Sequence, residues 1–198
     1  MIAIIDYGMG NLRSVQKAFE YLGNHAVITD DVSVIQKADK VVLPGVGAYC
    51  DAMKTITQKG IDKVLYDIVE QKKPLLGICL GMQMFFDKSY EYGEHKGLGI
   101  LQGEIKLLPN TVKIPHMGWN SLYIQKRSPL FEGLPEQPYV YFVHSYHLET
   151  NADIVSATTY YGKQIQVAAQ KENVFALQFH PEKSGDIGLK ILENFGRI

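Results

Sequence analysis

The pattern of apolar and polar positions alternates between short buried runs and amphipathic segments. Ile2–Ile5 and Val41–Leu43 are continuous apolar runs of strand length, which is typical of strands buried on both faces of a parallel sheet. Between these runs, Leu12, Val15 and Phe19 recur at helical spacing. This alternation predicts an α/β fold with a mostly parallel central sheet flanked by helices.

The pattern changes in the second half of the chain. From about Gly97 to Gln178 it consists of short extended runs interrupted by Gly and Pro, including Tyr139–Val143. We therefore expect an antiparallel addition before the chain returns to a last strand at Val174–Phe179. No repeat, linker or low-complexity segment divides the sequence, so residues 1–198 are predicted to form a single domain.

Cys79 is the strongest candidate for a catalytic residue. It lies within Gly77–Gly81, after the strand-like Leu75–Leu76 and before the helix-like Met82–Phe86. This matches the nucleophile-elbow pattern G-x-[SC]-x-G, in which a tight turn leaves the nucleophile exposed. The N–H groups and dipole of the following helix are expected to favour the thiolate. The alternative is a buried structural cysteine.

The thiol needs a general base, and the chain has six histidines that could serve. His25 and His95 lie in polar, turn-like stretches and are expected at the surface. His180 follows the last strand, and Pro181 is expected to end that strand by removing a backbone donor. Glu182 lies two residues further on, where it could orient the imidazole and complete a nucleophile, base and orienter.

Cys79 in Gly-Ile-Cys-Leu-Gly-Met-Gln, together with the late His180-Pro181-Glu182, resembles the class I (triad) glutamine amidotransferases. The resemblance runs essentially from end to end. Within that family, four further segments resemble the glutaminase subunits of histidine biosynthesis: Asp6–Leu12, Leu43–Gly47, Pro115–Asn120 and Tyr141–Tyr146.

The resemblance implies that Cys79 attacks the side-chain amide of L-glutamine, with His180 and Glu182 as its catalytic partners. The oxyanion of the intermediate is expected to bind the N–H of Leu80 and a second donor at either Gly45 or Val46. Substrate-binding roles are implied for Gly47, Gln83, Glu91, His144, Ser145 and Tyr146. For His144, a direct role and a purely structural one both remain open.

The resemblance also implies a partner, because nothing in this chain is expected to consume the ammonia. That partner is a separate (β/α)8 cyclase subunit, and the glutaminase alone is expected to be largely inactive until the partner stimulates it. Positions that match the interface between the subunits are Asn11, Met117, Trp119, Asn120, Tyr141 and Lys183. Trp119 could instead be a core aromatic, but its neighbours Gly118 and Asn120 predict a surface loop.

Composition and charge exclude several other functions and kinds of binding site. A formal net charge of −1 without clustering of either sign gives no basis for nucleic-acid or anionic-membrane binding. Two cysteines argue against a disulfide scaffold and for a reducing cytoplasm, and Cys50 lacks an elbow, so we expect it on a helix face. No Cys/His spacing predicts zinc, and neither a metal nor a cofactor is expected.

Two alternatives remain at this stage. One is a paralogous glutaminase that feeds ammonia to another acceptor, such as a surface-sugar amidotransferase. The other is an elbow-cysteine protein of peptidase-like or thiol-stress type with no glutamine turnover. Gln83 and the spacing of His180 and Glu182 argue against the second.

Overall fold

The computed structural model describes all 198 residues. The strands are β1 (Ile2–Ile5), β2 (Ala26–Thr29), β3 (Lys40–Gly45), β4 (Leu75–Cys79), β5 (Lys88–Ser89), β6 (His95–Lys96), β7 (Glu104–Leu107), β8 (His116–Ser121), β9 (Tyr123–Ile124), β10 (Tyr139–His144), β11 (Tyr146–Glu149), β12 (Val155–Tyr161), β13 (Lys163–Lys171) and β14 (Val174–Leu177). The helices are α1 (Leu12–Tyr21), α2 (Val32–Lys37), α3 (Tyr49–Gln58), α4 (Ile61–Glu70), α5 (Leu80–Gln83) and α6 (Gly185–Arg197), with 3-10 turns at Pro129–Phe131 and Pro181–Lys183.

One large sheet runs through the molecule. Its first part is parallel, in the order β2-β1-β3-β4-β14, and it continues through antiparallel pairings of β14 with β13 and of β13 with β11. The predicted combination of a mostly parallel central sheet and an antiparallel addition is therefore confirmed. Because β14 is inserted next to β4, the chain returns from the antiparallel part to the strand that carries the elbow.

Both faces of the parallel part are covered, as the continuous apolar runs predict. Along β1, Ala3 and Ile5 pack into one core with α3 and α4, whereas Ile2 and Ile4 pack into a second core with α1 and α6. All four side chains are at most 3% exposed. The alternation of side chains along a strand thus divides one apolar run between two cores.

A separate two-stranded ribbon stands beside the main sheet. β8 and β10 pair antiparallel from His144↔His116 to Tyr139↔Ser121, and we call this pair the β8–β10 ribbon. Trp119 lies on β8, so the predicted surface loop at this position is wrong. Gly118, with φ +131°, interrupts the regular side-chain pattern that would have indicated a strand.

Two predicted element bounds also differ. β14 ends at Leu177, so the chain leaves the strand before Phe179, and Pro181 begins a 3-10 turn. The helix after Cys79 comprises only Leu80–Gln83. None of the helices is both long enough and apolar enough to cross a membrane.

Candidate active site

Cys79 lies at the carboxyl end of β4 in a strained backbone conformation, with φ 53° and ψ −114°. A positive φ at a non-glycine residue costs free energy, and such strain clusters at functional sites. The neighbouring Gly81 packs directly against the next strand, because a Cβ there would lie 1.8 Å from the carbonyl oxygen of Leu43. The elbow is thus held tightly against β3, and its thiol is turned out of the strand.

The helix that follows the elbow is too short to supply the predicted dipole. α5 has four residues, a single turn, and the macrodipole is a sum over aligned peptides. Stabilisation of a thiolate therefore has to come from side chains. Gln83, at the end of this turn, is buried and faces the same pocket as Cys79.

His180 and Glu182 form a buried pair beside the elbow. The Nδ1 of His180 lies 2.8 Å from Oε1 of Glu182, and their side chains are 2% and 1% exposed. The backbone N–H of His180 donates to the carbonyl of Tyr141, and the hydroxyl of Ser184 donates to the carbonyl of His180. These bonds fix the backbone on which the imidazole stands.

The surroundings of His180 favour its charged form. Burial lowers its pKa, but the neighbouring thiol of Cys79 and the carboxylate of Glu182 outweigh burial and raise the pKa to about 10. Glu182 accepts at Nδ1, whereas Nε2 is buried without a hydrogen-bond partner, and His180 and Cys79 line one pocket. The site thus combines a thiol, an imidazole and a carboxylate that orients the imidazole.

The predicted oxyanion segment lies on the neighbouring strand. Gly45 ends β3 and pairs with Cys79 in the sheet, while Val46 and Gly47 line the pocket. Val46 is 41% exposed, and Gly47 has φ +109°, a conformation that favours glycine. The end of β3 is therefore brought beside the nucleophile.

A pocket of about 380 Å³ opens over Cys79 and His180, a size that suits a small-molecule ligand. Its lining includes Leu80 and all six predicted substrate-binding residues: Gly47, Gln83, Glu91, His144, Ser145 and Tyr146. It also includes three residues that were not predicted: Tyr92, Pro115 and Val143. Burial raises the pKa of Glu91.

His144 belongs to a chain of neutral hydrogen bonds. Its Nδ1 lies 2.9 Å from the carbonyl oxygen of Tyr146, which can only accept, so Nδ1 carries the proton. Its Nε2 must then accept from Nδ1 of His116 at 3.0 Å. Burial lowers the pKa of His144 to about 3 and that of His116 to about 4. This wall of the pocket therefore carries no charge at neutral pH.

Four residues predicted at a partner interface lie on the β8–β10 ribbon, but not all on the same face. Met117 and Trp119 are 63% and 56% exposed, and Tyr141 lies across from Trp119 with its ring centroid 6.0 Å away. Asn120 lies on the opposite face, where its amide donates to the carbonyl of Tyr160 and approaches Nε2 of His116. The structure thus brings three of these residues to one face and turns Asn120 inward.

Two further residues were predicted at that interface. Lys183 is exposed on the 3-10 turn that follows His180. Asn11 is half-buried at the start of α1, at the end of the loop that follows β1.

Two buried residues near Cys79 were missed. Gln178 donates its amide to the Cys79 sulfur over 3.7 Å. The hydroxyl of Tyr7 is buried without a partner and would lie 2.3 Å from a Cβ placed on Gly45. Gln178 could have been found from the predicted strand Val174–Phe179, because a residue two positions before His180 would share its face, although the observed strand ends at Leu177.

The remaining titratable candidates lie apart from this pocket. Cys50 is exposed on α3, as predicted, and His25 is exposed, whereas His95 is half-buried in β6. No group of three or more His, Cys, Asp or Glu side chains is arranged to hold a metal ion.

The sequence matches known proteins along its whole length. The model of the family described as glutamine amidotransferase class-I matches residues 3–197. Imidazole glycerol phosphate synthase subunit HisH of Aquifex aeolicus is 53% identical, over 98% of this chain and 95% of the relative. The subunit of the same name from Oceanobacillus iheyensis is 48% identical, over 98% of each chain.

Solved structures share the fold at lower identity. A structure described as a glutamine amidotransferase has a TM-score of 0.77 at 21% identity, with 99% of this chain and 100% of that chain covered. The structure of PurLQS from Thermotoga maritima contains a chain with a TM-score of 0.74 at 21% identity, with 98% of this chain and 96% of that chain covered.

Proposed function

The chain belongs to the class-I glutamine amidotransferase family, and on that premise we propose that Cys79, His180 and Glu182 hydrolyse L-glutamine to glutamate and ammonia. One observation carries this proposal: the 2.8 Å bond between His180 and Glu182 in a pocket that also contains the elbow cysteine. The raised pKa of His180 supports the same assignment, because it favours a thiolate–imidazolium pair.

The reaction proceeds in two halves through a thioester. The thiolate of Cys79 attacks the side-chain amide carbon of glutamine, the C–N bond breaks, and Nε2 of His180 gives its proton to the departing ammonia. A water molecule then transfers a proton to the same nitrogen and attacks the thioester carbon. Glutamate is released and the thiolate is restored, while Glu182 holds the ring through Nδ1 in both halves.

Both tetrahedral intermediates carry an oxyanion that needs directed N–H donors. We assign one donor to the backbone N–H of Leu80, directly after the nucleophile. The second comes from Gly45 or Val46, because β3 pairs with β4 at the level of Cys79. Loss of one such donor typically costs roughly 10²–10³ in rate.

The rest of the pocket is assigned to recognition of glutamine. Glu91 is half-buried, and burial raises its pKa, so a bound α-ammonium group would restore its usual ionisation. Gln83 offers its amide, and Gly47, Ser145 and Tyr146 line the same space. His144 contributes as a neutral wall of the pocket, because its ring nitrogens are already bonded to His116 and Tyr146.

We assign the ammonia to imidazole glycerol phosphate synthesis, with this chain as the glutaminase subunit of the synthase in histidine biosynthesis. The relatives named as HisH subunits support this assignment, because they are identical to this chain at 48% and 53% of the aligned positions and the alignments cover 98% of it. The acceptor is then a separate (β/α)8 cyclase subunit that forms a heterodimer with this chain and produces imidazole glycerol phosphate and AICAR. The names of the relatives do not favour another acceptor.

The ribbon supplies a surface for that partner. Met117, Trp119 and Tyr141 share one face, and Val143 on the same face of β10 lines the pocket. The exposed aromatic face is thus continuous with the site that releases ammonia, and Trp and Tyr are enriched at the centres of interfaces. Lys183 and Asn11 complete the proposed contact, whereas Asn120 acts from behind the ribbon through its bond to Tyr160.

The extent and location of the enzyme follow from the same assignment. We infer that residues 1–198 act as one domain, because the family model spans 3–197 and one sheet joins both halves of the chain. A biosynthetic enzyme with a reactive thiol and a second free thiol fits the reducing cytoplasm.

Replacement of the nucleophile tests the proposal. Cys79→Ala in the complex with the cyclase should abolish glutamine-dependent synthesis, a loss of about 10⁴-fold or more. Synthesis from added ammonium salts should continue, because the acceptor site lies on the partner. Cys50→Ser is the matched control and should leave both activities intact. Loss of the ammonium-dependent activity in an intact complex would contradict this division of labour.

A further inference from the structure

Gln178 connects the nucleophile to Gln83 through the interior of the protein. Its side chain is completely buried, with Nε2 3.7 Å from Sγ of Cys79 and Oε1 2.9 Å from Nε2 of Gln83. Its backbone N–H donates to the carbonyl of Val167, so the main chain still follows the sheet at this point. The amide therefore projects from a fixed backbone into the space between the elbow and α5.

The direction of these hydrogen bonds is fixed by a single backbone carbonyl. Nε2 of Gln83 lies 3.2 Å from the carbonyl oxygen of Tyr146, which can only accept. Gln83 must therefore turn its NH₂ group inward, where it donates to both Tyr146 and Gln178. Gln178 then has to present its oxygen to Gln83 and its NH₂ group to Cys79. Neither amide can be reversed without bringing two donors or two acceptors together.

This arrangement has consequences for both Cys79 and Gln83. At Cys79, an N–H donor stabilises the thiolate more than the thiol, because hydrogen bonds to a charged acceptor are the stronger ones. The sulfur also lies 3.9 Å from the carbonyl oxygen of Val143, which can bond only to the protonated thiol. At Gln83, both N–H groups are used inside the protein, so its amide oxygen is the atom left for the pocket.

We propose that Gln178 is a positioning residue that holds Cys79 as a thiolate and turns the amide oxygen of Gln83 towards the ligand. The site then presents an acceptor at this point, and it selects a ligand that donates from an ammonium or carboxamide N–H. The role at Gln83 rests on the proposed glutaminase function. The role at Cys79 does not, because it concerns the ionisation of the thiol alone.

The ionisation can be measured without any glutamine. In a Cys50→Ser background, where Cys79 is the only thiol, iodoacetamide alkylation is followed as a function of pH. Gln178→Met keeps the length of the side chain and removes the donor, so alkylation of Cys79 near neutral pH should become up to about tenfold slower. Gln166→Met is the matched control: Gln166 is a half-buried glutamine on β13 that bonds to Thr150, and its variant should leave the alkylation profile unchanged.

A second measurement uses the unaltered side chain and so does not depend on how the variant folds. The side-chain ¹⁵N amide resonance of Gln178, assigned by its loss in Gln178→Met or by selective labelling, should shift with the titration of Cys79. The shift should disappear after the thiol is blocked. An unchanged alkylation profile in Gln178→Met, or an amide that does not follow the thiol, would overturn the role at Cys79.

Steady-state kinetics test the proposed role of Gln178 at Gln83. In the complex with the cyclase, Gln178→Met should raise KM for glutamine as well as lower kcat, because Gln83 loses the partner that orients it. If KM stays unchanged while the alkylation profile shifts, the role at Gln83 is wrong and the role at Cys79 stands. If the parent protein does not turn over glutamine at all, the proposed function fails, and the alkylation result still decides the role at Cys79.

Discussion

The two walls of the pocket hold histidines that are both buried but differ in charge, one cationic and one neutral. His180, on the sheet side, and His144, on the β8–β10 ribbon, are 1% and 5% exposed. The pKa of His180 is raised to about 10, whereas that of His144 is lowered to about 3. Burial acts in the same direction on both rings, so their neighbours decide the difference. His180 has a thiol and a carboxylate beside it, and His144 has a backbone carbonyl and a second neutral imidazole.

This comparison separates two tasks. The sheet side carries the groups that change protonation during the reaction, and it is built on paired strands whose positions are fixed by hydrogen bonds. The ribbon side carries no charge into the pocket, and the outer face of the ribbon exposes Trp119 and Met117. We infer that chemistry belongs to the first wall and that shaping of the pocket and contact with the partner belong to the second.

The comparison would fail if the two histidines were interchangeable. We expect His180→Ala to reduce glutamine turnover by the complex about 10⁴-fold, nearly as much as loss of Cys79, because triad members act as a unit. His144→Gln retains a donor towards the carbonyl of Tyr146 and should stay within about tenfold of the parent. Steady-state glutaminase assays compare the two. Full activity in His180→Ala would identify His144 or His116 as the base.

The division between chemistry and control predicts how the partner acts. We expect the Gly45–Val46 peptide to turn its donor away from the oxyanion in the free chain, so the chain alone should hydrolyse glutamine very slowly. Addition of the cyclase and its acceptor ligand should raise kcat by roughly 10²–10³, the value of one oxyanion donor. KM should change less, because such a donor acts mainly in the transition state. A fully active isolated chain, or stimulation wholly in KM, would contradict this account.

Loss of the Glu182 carboxylate is expected to reduce activity less than loss of Cys79 or His180. Glu182→Gln keeps a hydrogen-bond acceptor for Nδ1 of His180 and removes the charge that stabilises the imidazolium. We expect a loss of about 10² in kcat. The pKa of His180, followed by NMR, should fall at the same time. A fall in activity with an unchanged His180 titration would assign Glu182 to another task.

The smallest effect concerns stability on the uncharged wall. The unfolded chain binds protons at His144 and His116 below pH 6.5, whereas the folded chain binds them only near pH 3 to 4. Their stabilisation is therefore complete above pH 6.5 and is lost as the pH falls. His144→Gln should reduce the slope of unfolding free energy against pH by up to about 1.4 kcal/mol per unit in this window. Urea titrations at several pH values test this, with His25→Gln as control.

His180 has the opposite dependence. Because its pKa is raised in the folded state, the stability that it contributes is complete below pH 6.5 and is lost as the pH rises towards about 10. The two walls should thus lose stability at opposite ends of the pH range.

Much of the sheet side could be predicted from the sequence. The apolar runs of β1, β3 and β4 are continuous, so they identify buried parallel strands, and the glycines around Cys79 indicate the turn that follows. By contrast, the apolar stretch Met82–Phe86 looks helical, but it is buried on all sides and leaves the helix after Gln83. Burial from every direction removes the periodicity that would have distinguished a helix from a turn.

The ribbon and the interior contacts were harder to predict. Trp119 is exposed between half-buried neighbours, as a strand residue can be, but Gly118 beside it has no side chain to complete the pattern. The bond between Gln178 and Gln83 joins two segments that are far apart in sequence. Such a contact depends on which strands become neighbours, and no local pattern carries that information.

The position of β14 also determines when the thiol becomes reactive during synthesis. Cys79 and His180 are separated by about a hundred residues, so at roughly 5–20 residues per second the cysteine emerges about 5–20 s before its base. In that interval β4 lacks the neighbour that β14 provides, and its edge can pair with other chains. Insertion of β14 closes this edge and delivers His180 in the same step. The nascent chain therefore carries an ordinary thiol until the sheet is complete.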